Sequence, residues 1–173
     1  MDFSIKKSLE ILERTPDIIE IMIADLSKDW TSENEGQDTW SAYDIVGHLI
    51  HGEKTDWIPR AEIILSNKTN KIFQDFDRFA QFENSQGKSL MDLLHEFRTL
   101  RIDNINHLQS KAIDHTQFKL KGVHPDFGEV SLSELISTWV IHDLNHIAQI
   151  TRVMAKQYKA NVGPWNAYLR ILK

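Results

Sequence analysis

Three times in this chain a serine stands three residues ahead of a carboxylate at the head of an apolar stretch. Ser41 precedes Asp44, Ser89 precedes Asp92, and Ser131 precedes Glu134. The hydroxyl of such a serine accepts the amide of the third helical residue. The acid reaches back to the serine amide and complements the positive end of the helix. Each pair therefore predicts a helix start, with Glu134 fitting the pattern fully and the two aspartates as shorter variants. Trp40 with Ile45 and Val130 with Leu135 add a hydrophobic staple to two of the starts. Apolar residues recurring at steps of three and four then carry helices over about 42–66, 90–109 and 132–157. A fourth amphipathic segment, 2–27, uses Ile5, Leu9, Leu12, Ile19, Met22, Ile23 and Leu26, with Pro16 as a kink or restart. Only 7 Gly and 4 Pro occur in 173 residues, too few for a chain built of tight turns.

Four long amphipathic helices predict an all-α, four-helix bundle formed by one domain, residues 1–173. The 67–88 link between the second and third helices is long for antiparallel neighbours and predicts a crossover connection. In it Phe73, Phe76, Phe79 and Phe82 repeat every three residues, which suggests a short helical piece with one aromatic face, plugging one end of the bundle. Residues 110–130 hold the only strand-like text, from Phe118, and read as an extended loop or small hairpin. Gly163 and Pro164 read as a stop signal after the last long helix, and residues 165–172 as a short closing helix.

The chemistry concentrates on the last long helix. His142 and His146 lie one turn apart; at about 100° per residue His146 falls inside the apolar arc and His142 at its rim. Two such histidines either chelate a metal or form a hydrogen-bonded core pair. A zinc peptidase needs Glu directly after the first His, where this chain has Asp143. Residues 147–173 hold no Asp, Glu or His for a third ligand, so that reading falls and any third ligand must come from upstream. On the second helix His48 lies nearer the apolar arc than His51, which points to solvent. Glu53 and Asp143 fall in mid-arc, where a carboxylate needs a partner. Glu53 could orient a histidine, bind a metal, or pair with a core Trp or Tyr. His124, on the 110–130 loop, is by default a surface residue, and the alternative is that it enters the site as a base.

These residues resemble a family. Trp40-Ser41, Ile45, His48-Leu49 and Glu53 come first. Gly122-x-His124-Pro125-x-x-Gly128-x-Val130-Ser131-Leu132 follows, then Trp139-x-x-His142-Asp143-x-x-His146-x-x-Gln149-Ile150, and last Gly163-Pro164-Trp165-x-x-Tyr168-Leu169. In order and spacing this set is similar to the DinB-like/YfiT-like superfamily of metalloenzymes, over nearly the whole chain. The resemblance implies a four-helix bundle with a crossover, frequent homodimers, and a three-histidine site for a divalent metal. Residue by residue that site falls on His48, His142 and His146. Imidazole ligands suit zinc or nickel best, with manganese or iron also compatible. Hydrolysis of a small-molecule substrate and thiol S-transfer both fit, with Asp143 and Glu53 as candidate general bases. The alternative is a non-catalytic, stress-related binding or dimerisation module with a structural metal.

Other partners are disfavoured. Net charge is 20 − 25 = −5, against a nucleic-acid surface. The basic end formed by Arg152, Lys156, Lys159, Arg170 and Lys173 complements a helix dipole. The chain has no cysteine, which excludes thiolate sites and disulfides. No apolar run reaches membrane length and the N-terminus lacks signal-peptide character, so the expected compartment is the cytoplasm.

Overall fold

The computed structural model describes all residues, 1–173. The helices are α1 (Ile5–Leu12), α2 (Thr15–Ile23), α3 (Lys28–Thr31), α4 (Ala42–Thr55), α5 (Trp57–Leu65), α6 (Ala80–Asn84), α7 (Leu90–Ser110) and α8 (Leu132–Gln157). One hairpin, β1 (Lys121–His124) and β2 (Gly128–Ser131), precedes α8. The α1–α2 and α4–α5 pairs each act as one broken helix, so with α7 and α8 the bundle has four members. No helix is long and apolar enough to cross a membrane.

All three serine–acid pairs form complete capping boxes. Ser41, Ser89 and Ser131 accept the amides of Asp44, Asp92 and Glu134, and each acid accepts the serine amide in return. Both breaks trace to proline. Pro16 has no N–H for the Leu12 carbonyl four residues back, and α1 ends at Leu12. Pro59 stands in the same relation to Thr55, where α4 ends.

The buried apolar side chains form two clusters stacked along the bundle. One centres on Leu12, Trp57, Ile64, Phe73, Leu132 and Trp139, the other on Ile23, Ile45, Leu49, Phe97, Ile150 and Val153. Between them every long helix changes character. On α4 this happens at Glu53, on α7 at Arg101, and on α8 over His142–His146. A polar layer thus crosses the bundle between two apolar halves.

The connections depart from the expected text. The four phenylalanines share no helical face: only Ala80–Asn84 is helical, Phe73 is buried, and Phe79 and Phe82 are exposed. Extended backbone wins earlier in the link. Ile72 pairs in parallel with Val123, with Phe73 N donating to Val123 O and Val123 N to Lys71 O, each at 2.9 Å. The strand-like text at Phe118 is a 3-10 turn, and the strand starts at Lys121. Beyond Gln157 the closing segment is two 3-10 turns rather than a helix, and the stop signal at Gly163 lies six residues past the end of α8.

Gly122 lets the hairpin lie against Phe73. A Cβ there would stand 2.6 Å from Cζ of Phe73 and 3.0 Å from Cγ1 of Ile64. Gly122→Ala should therefore displace the ring and destabilise the fold by about 1–3 kcal/mol. The urea midpoint reads this directly, and an unchanged midpoint would show that the ring moves without cost.

Candidate functional site

His48 from α4 and His142 and His146 from α8 converge at the edge of the polar layer. The Nε2 of His142 lies 3.1 Å from the Nε2 of His48 and 3.1 Å from that of His146. One ring nitrogen from each residue falls within 4.8 Å of the others. His48 and His146 are buried and His142 half-buried. Burial, helped by the neighbouring imidazoles, pushes His48 down to about 3 and His142 down to about 2. Burial lowers His146 as well, against the opposing bond from Gln149. All three are neutral near pH 7, with lone pairs available.

Their outer nitrogens differ. Nδ1 of His146 lies 2.8 Å from Oε1 of Gln149. An amide oxygen only accepts, so that Nδ1 carries the proton and Nε2 the lone pair. Nδ1 of His48 and of His142 is buried without a partner. Ligand nitrogens at about 2.0–2.1 Å from a tetrahedral ion stand about 3.3 Å apart, close to the spacing here. The donor set therefore fits a divalent ion.

Behind the histidines lies the rest of the polar layer. Arg101 from α7 donates through Nη1 to Asp143 Oδ2 (2.5 Å) and through Nη2 to Asp143 Oδ1 (2.9 Å) and Glu53 Oε1 (2.8 Å). Its Nη1 also donates to Leu12 O at 2.8 Å, the carbonyl that Pro16 leaves without a helical donor. Trp139 Nε1 donates to Glu53 Oε1 at 3.0 Å, and Asn104 Nδ2 to Glu53 Oε2 at 2.9 Å. Burial works against the Arg101 charge, but the two carboxylates outweigh it and hold the guanidinium protonated.

Asp143 and Glu53 are thus spent on Arg101, sealed from solvent and absent from the cavity wall. The partner expected for Glu53 is present as Trp139, joined by an arginine the sequence reading did not single out. The signal was there: Leu94, Phe97, Arg101, Ile105 and Leu108 form one apolar stripe with a charge inside it.

In front of the histidines opens a cavity of about 770 Å³. Trp40 and Phe76 pack on His48, at ring centroid distances of 4.8 and 5.5 Å. Trp57 meets His142 in an edge-to-face contact at 5.1 Å and stacks on Trp139 at 5.8 Å. His124 is half-buried on the cavity wall, stacked on Phe127, rather than at the surface. His51 is half-buried against Phe76 rather than solvated. Asp56, at the α4–α5 break, is the least exposed of the cavity's carboxylates, and burial pushes it up to about 6 against the pull of Arg60.

The sequence profile of the DinB superfamily matches residues 11–150. The chain belongs to the DinB superfamily. Among solved structures it is similar to YfiT from Bacillus subtilis, with a TM-score of 0.74 at 19% identity, over 92% of this chain and 90% of that one. YfiT is described as a probable metal-dependent hydrolase with an unusual four-helix bundle topology. At this identity the likeness shows the fold. No curated protein matches the chain.

Two outcomes are expected. Arg101→Met leaves two buried carboxylates without their cation and should cost about 3–5 kcal/mol, read from urea unfolding. An effect below a third of that would mean the cluster holds nothing in place. The second concerns acid. The histidines have folded-state pKa values below the unfolded value near ~6.5, so the unfolded chain binds more protons in that window. Metal-free protein should lose stability progressively as pH falls below about 6.5, the two strongly lowered histidines outweighing the opposing rise at Asp56, read as the urea midpoint at stepped pH.

Proposed function

We propose that this protein is a metal-dependent hydrolase of small molecules, with one divalent ion held by His48, His142 and His146. The observation that carries the reading is the convergence of three neutral imidazoles on the wall of an open cavity, with Nε2 of His142 3.1 Å from Nε2 of His48 and 3.1 Å from that of His146. Three imidazoles suit zinc or nickel, and manganese or iron would add water ligands. When bound, such an ion supplies Lewis acidity, polarising a carbonyl and acidifying a water or thiol that it touches.

The chain's own residues divide the remaining work. Gln149 holds His146 in the tautomer that presents Nε2. Trp40, Trp57 and Phe76 pack against the imidazoles and keep bulk water from their flanks. The sealed Asp143 and Glu53 position α8 and α4 through Arg101 instead of serving as bases. Proton handling passes in this reading to Asp56, whose carboxyl reaches the cavity and is poised near neutrality.

Thiol S-transfer is the second reading. It uses the same Lewis acidity, and a cavity in the upper part of the usual ~300–1,000 Å³ range leaves room for two reactants.

Elemental mass spectrometry on untagged protein never exposed to a nickel column tests the proposal. About one ion per chain is expected, lost in both His48→Ala and His142→Ala, with metal-dependent cleavage of p-nitrophenyl acetate lost alongside. Protein that takes up no zinc, nickel or manganese would overturn the metal centre. Bound metal that sets the melting temperature, with no turnover across ester, amide and thiol panels, would favour a binding module with a structural ion.

A further inference from the structure

Two arginines in this molecule are buried beside carboxylates, and they are used differently. Arg101 is 1% exposed and its two Nη atoms make four hydrogen bonds. Arg60 is 7% exposed and lines the cavity. Its Nε lies 2.6 Å from Asp56 Oδ1, a charge contact that leaves that oxygen without an aligned donor. Its Nη2 makes one long bond, 3.4 Å, to the Gln74 carbonyl. Its Nη1 has no partner in the chain and is not sealed. A guanidinium carries five N–H donors in a planar fork. Arg60 therefore turns an unfilled edge of that fork toward the cavity, while its flat face is fixed 5.2 Å from the Phe73 ring.

We propose that Arg60 is a carboxylate-binding subsite, and that the cavity takes small molecules with a carboxylate on an aromatic or apolar body. Arg101 shows the arrangement completed within the same protein, one guanidinium bridging two carboxylates. Arg60 holds the first carboxylate, and the ligand supplies the second in bidentate contact. Arg78 adds a second cation on the same wall, paired with no carboxylate of the chain, and its charge is felt at His48. The acids at the cavity leave the open edge of Arg60 free: Asp56 is engaged through the Arg60 Nε, Glu134 closes the α8 capping box, and Asp75 and Asp126 are exposed to water like Arg78, so water screens all three. Trp40 and Phe76 offer the body of the ligand a desolvated face. The subsite names the substrate class of the proposed hydrolase and rests on that reading for the chemistry, though not for the binding.

The test uses metal-free full-length protein, so that no ion ligates the carboxylate. Phenylacetate and its neutral isostere phenylacetamide are titrated by calorimetry into wild type, Arg60→Gln and Arg78→Gln. The carboxylate should bind wild type about tenfold more tightly than the amide, as charge-assisted bidentate pairing requires. In Arg60→Gln the two should come within about twofold, and in Arg78→Gln the preference should fall by about threefold. Should Arg60→Gln fail to fold, the guanidinium ¹⁵N resonances of wild-type Arg60 give the same answer, shifting with phenylacetate and not with phenylacetamide. Equal affinities in wild type, a preference that survives Arg60→Gln in folded protein, or no saturable binding of phenylacetate would each overturn the subsite. Metal content and ester cleavage are read separately, so loss of the hydrolase reading leaves this result standing.

Discussion

One guanidinium ties this bundle together. Arg101 reaches from α7 to α4 through Glu53, to α8 through Asp143, and to the end of α1 through the Leu12 carbonyl. Removing three charged groups from water is costly, and an incomplete network at this depth would destabilise the fold. It is tolerated because nearly every polar atom finds a partner: both carboxylates are satisfied by Arg101, Trp139 and Asn104. Apolar packing tolerates sliding of one helix along another more readily than a bidentate ion pair does. The cluster therefore sets the relative height of α4 and α8 in a way that the flanking leucines and isoleucines do not.

That height decides the histidine geometry. His48 sits little more than one turn before Glu53, and Asp143 stands directly beside His142. A one-turn slip of either helix would separate nitrogens now 3.1 Å apart. The two apolar clusters above and below hold the layer from both sides, and the stacked Trp57 and Trp139 seal it where α5 meets α8. Precision at the imidazoles thus comes largely from Arg101, Glu53 and Asp143, none of which lines the cavity.

The helices were legible because their start signals are local: a serine and an acid three residues apart need nothing from the rest of the chain to form a cap. The convergence of His48 with His142 and His146 was legible in part, from apolar periodicity on two helices and from family resemblance. The Phe73–Phe82 repeat misled, because its spacing suits a helix while the backbone there pairs with the hairpin edge, a non-local contact that periodicity does not register. The roles of Asp143 and Glu53 turned on Arg101. The charge inside the α7 stripe marked it as buried, but which acids it joined depended on helix packing. Asp56 and Arg60 were hidden by the helix break, which turns both toward the cavity.

The cavity wall and the layer behind it come from different kinds of backbone. Trp40, Phe73, Phe76 and Phe127 stand on loops and the hairpin tip, while the imidazoles and Arg101 stand on long helices. Loops accept substitution and changes of length that a bundle interior does not. A lineage built on this plan is free to exchange the walls, and with them the molecules admitted, while the helical centre is inherited unchanged. Divergence in such a protein would run through its connections first, and a relative's substrate would be a poor guide to this one's even where the histidines superimpose.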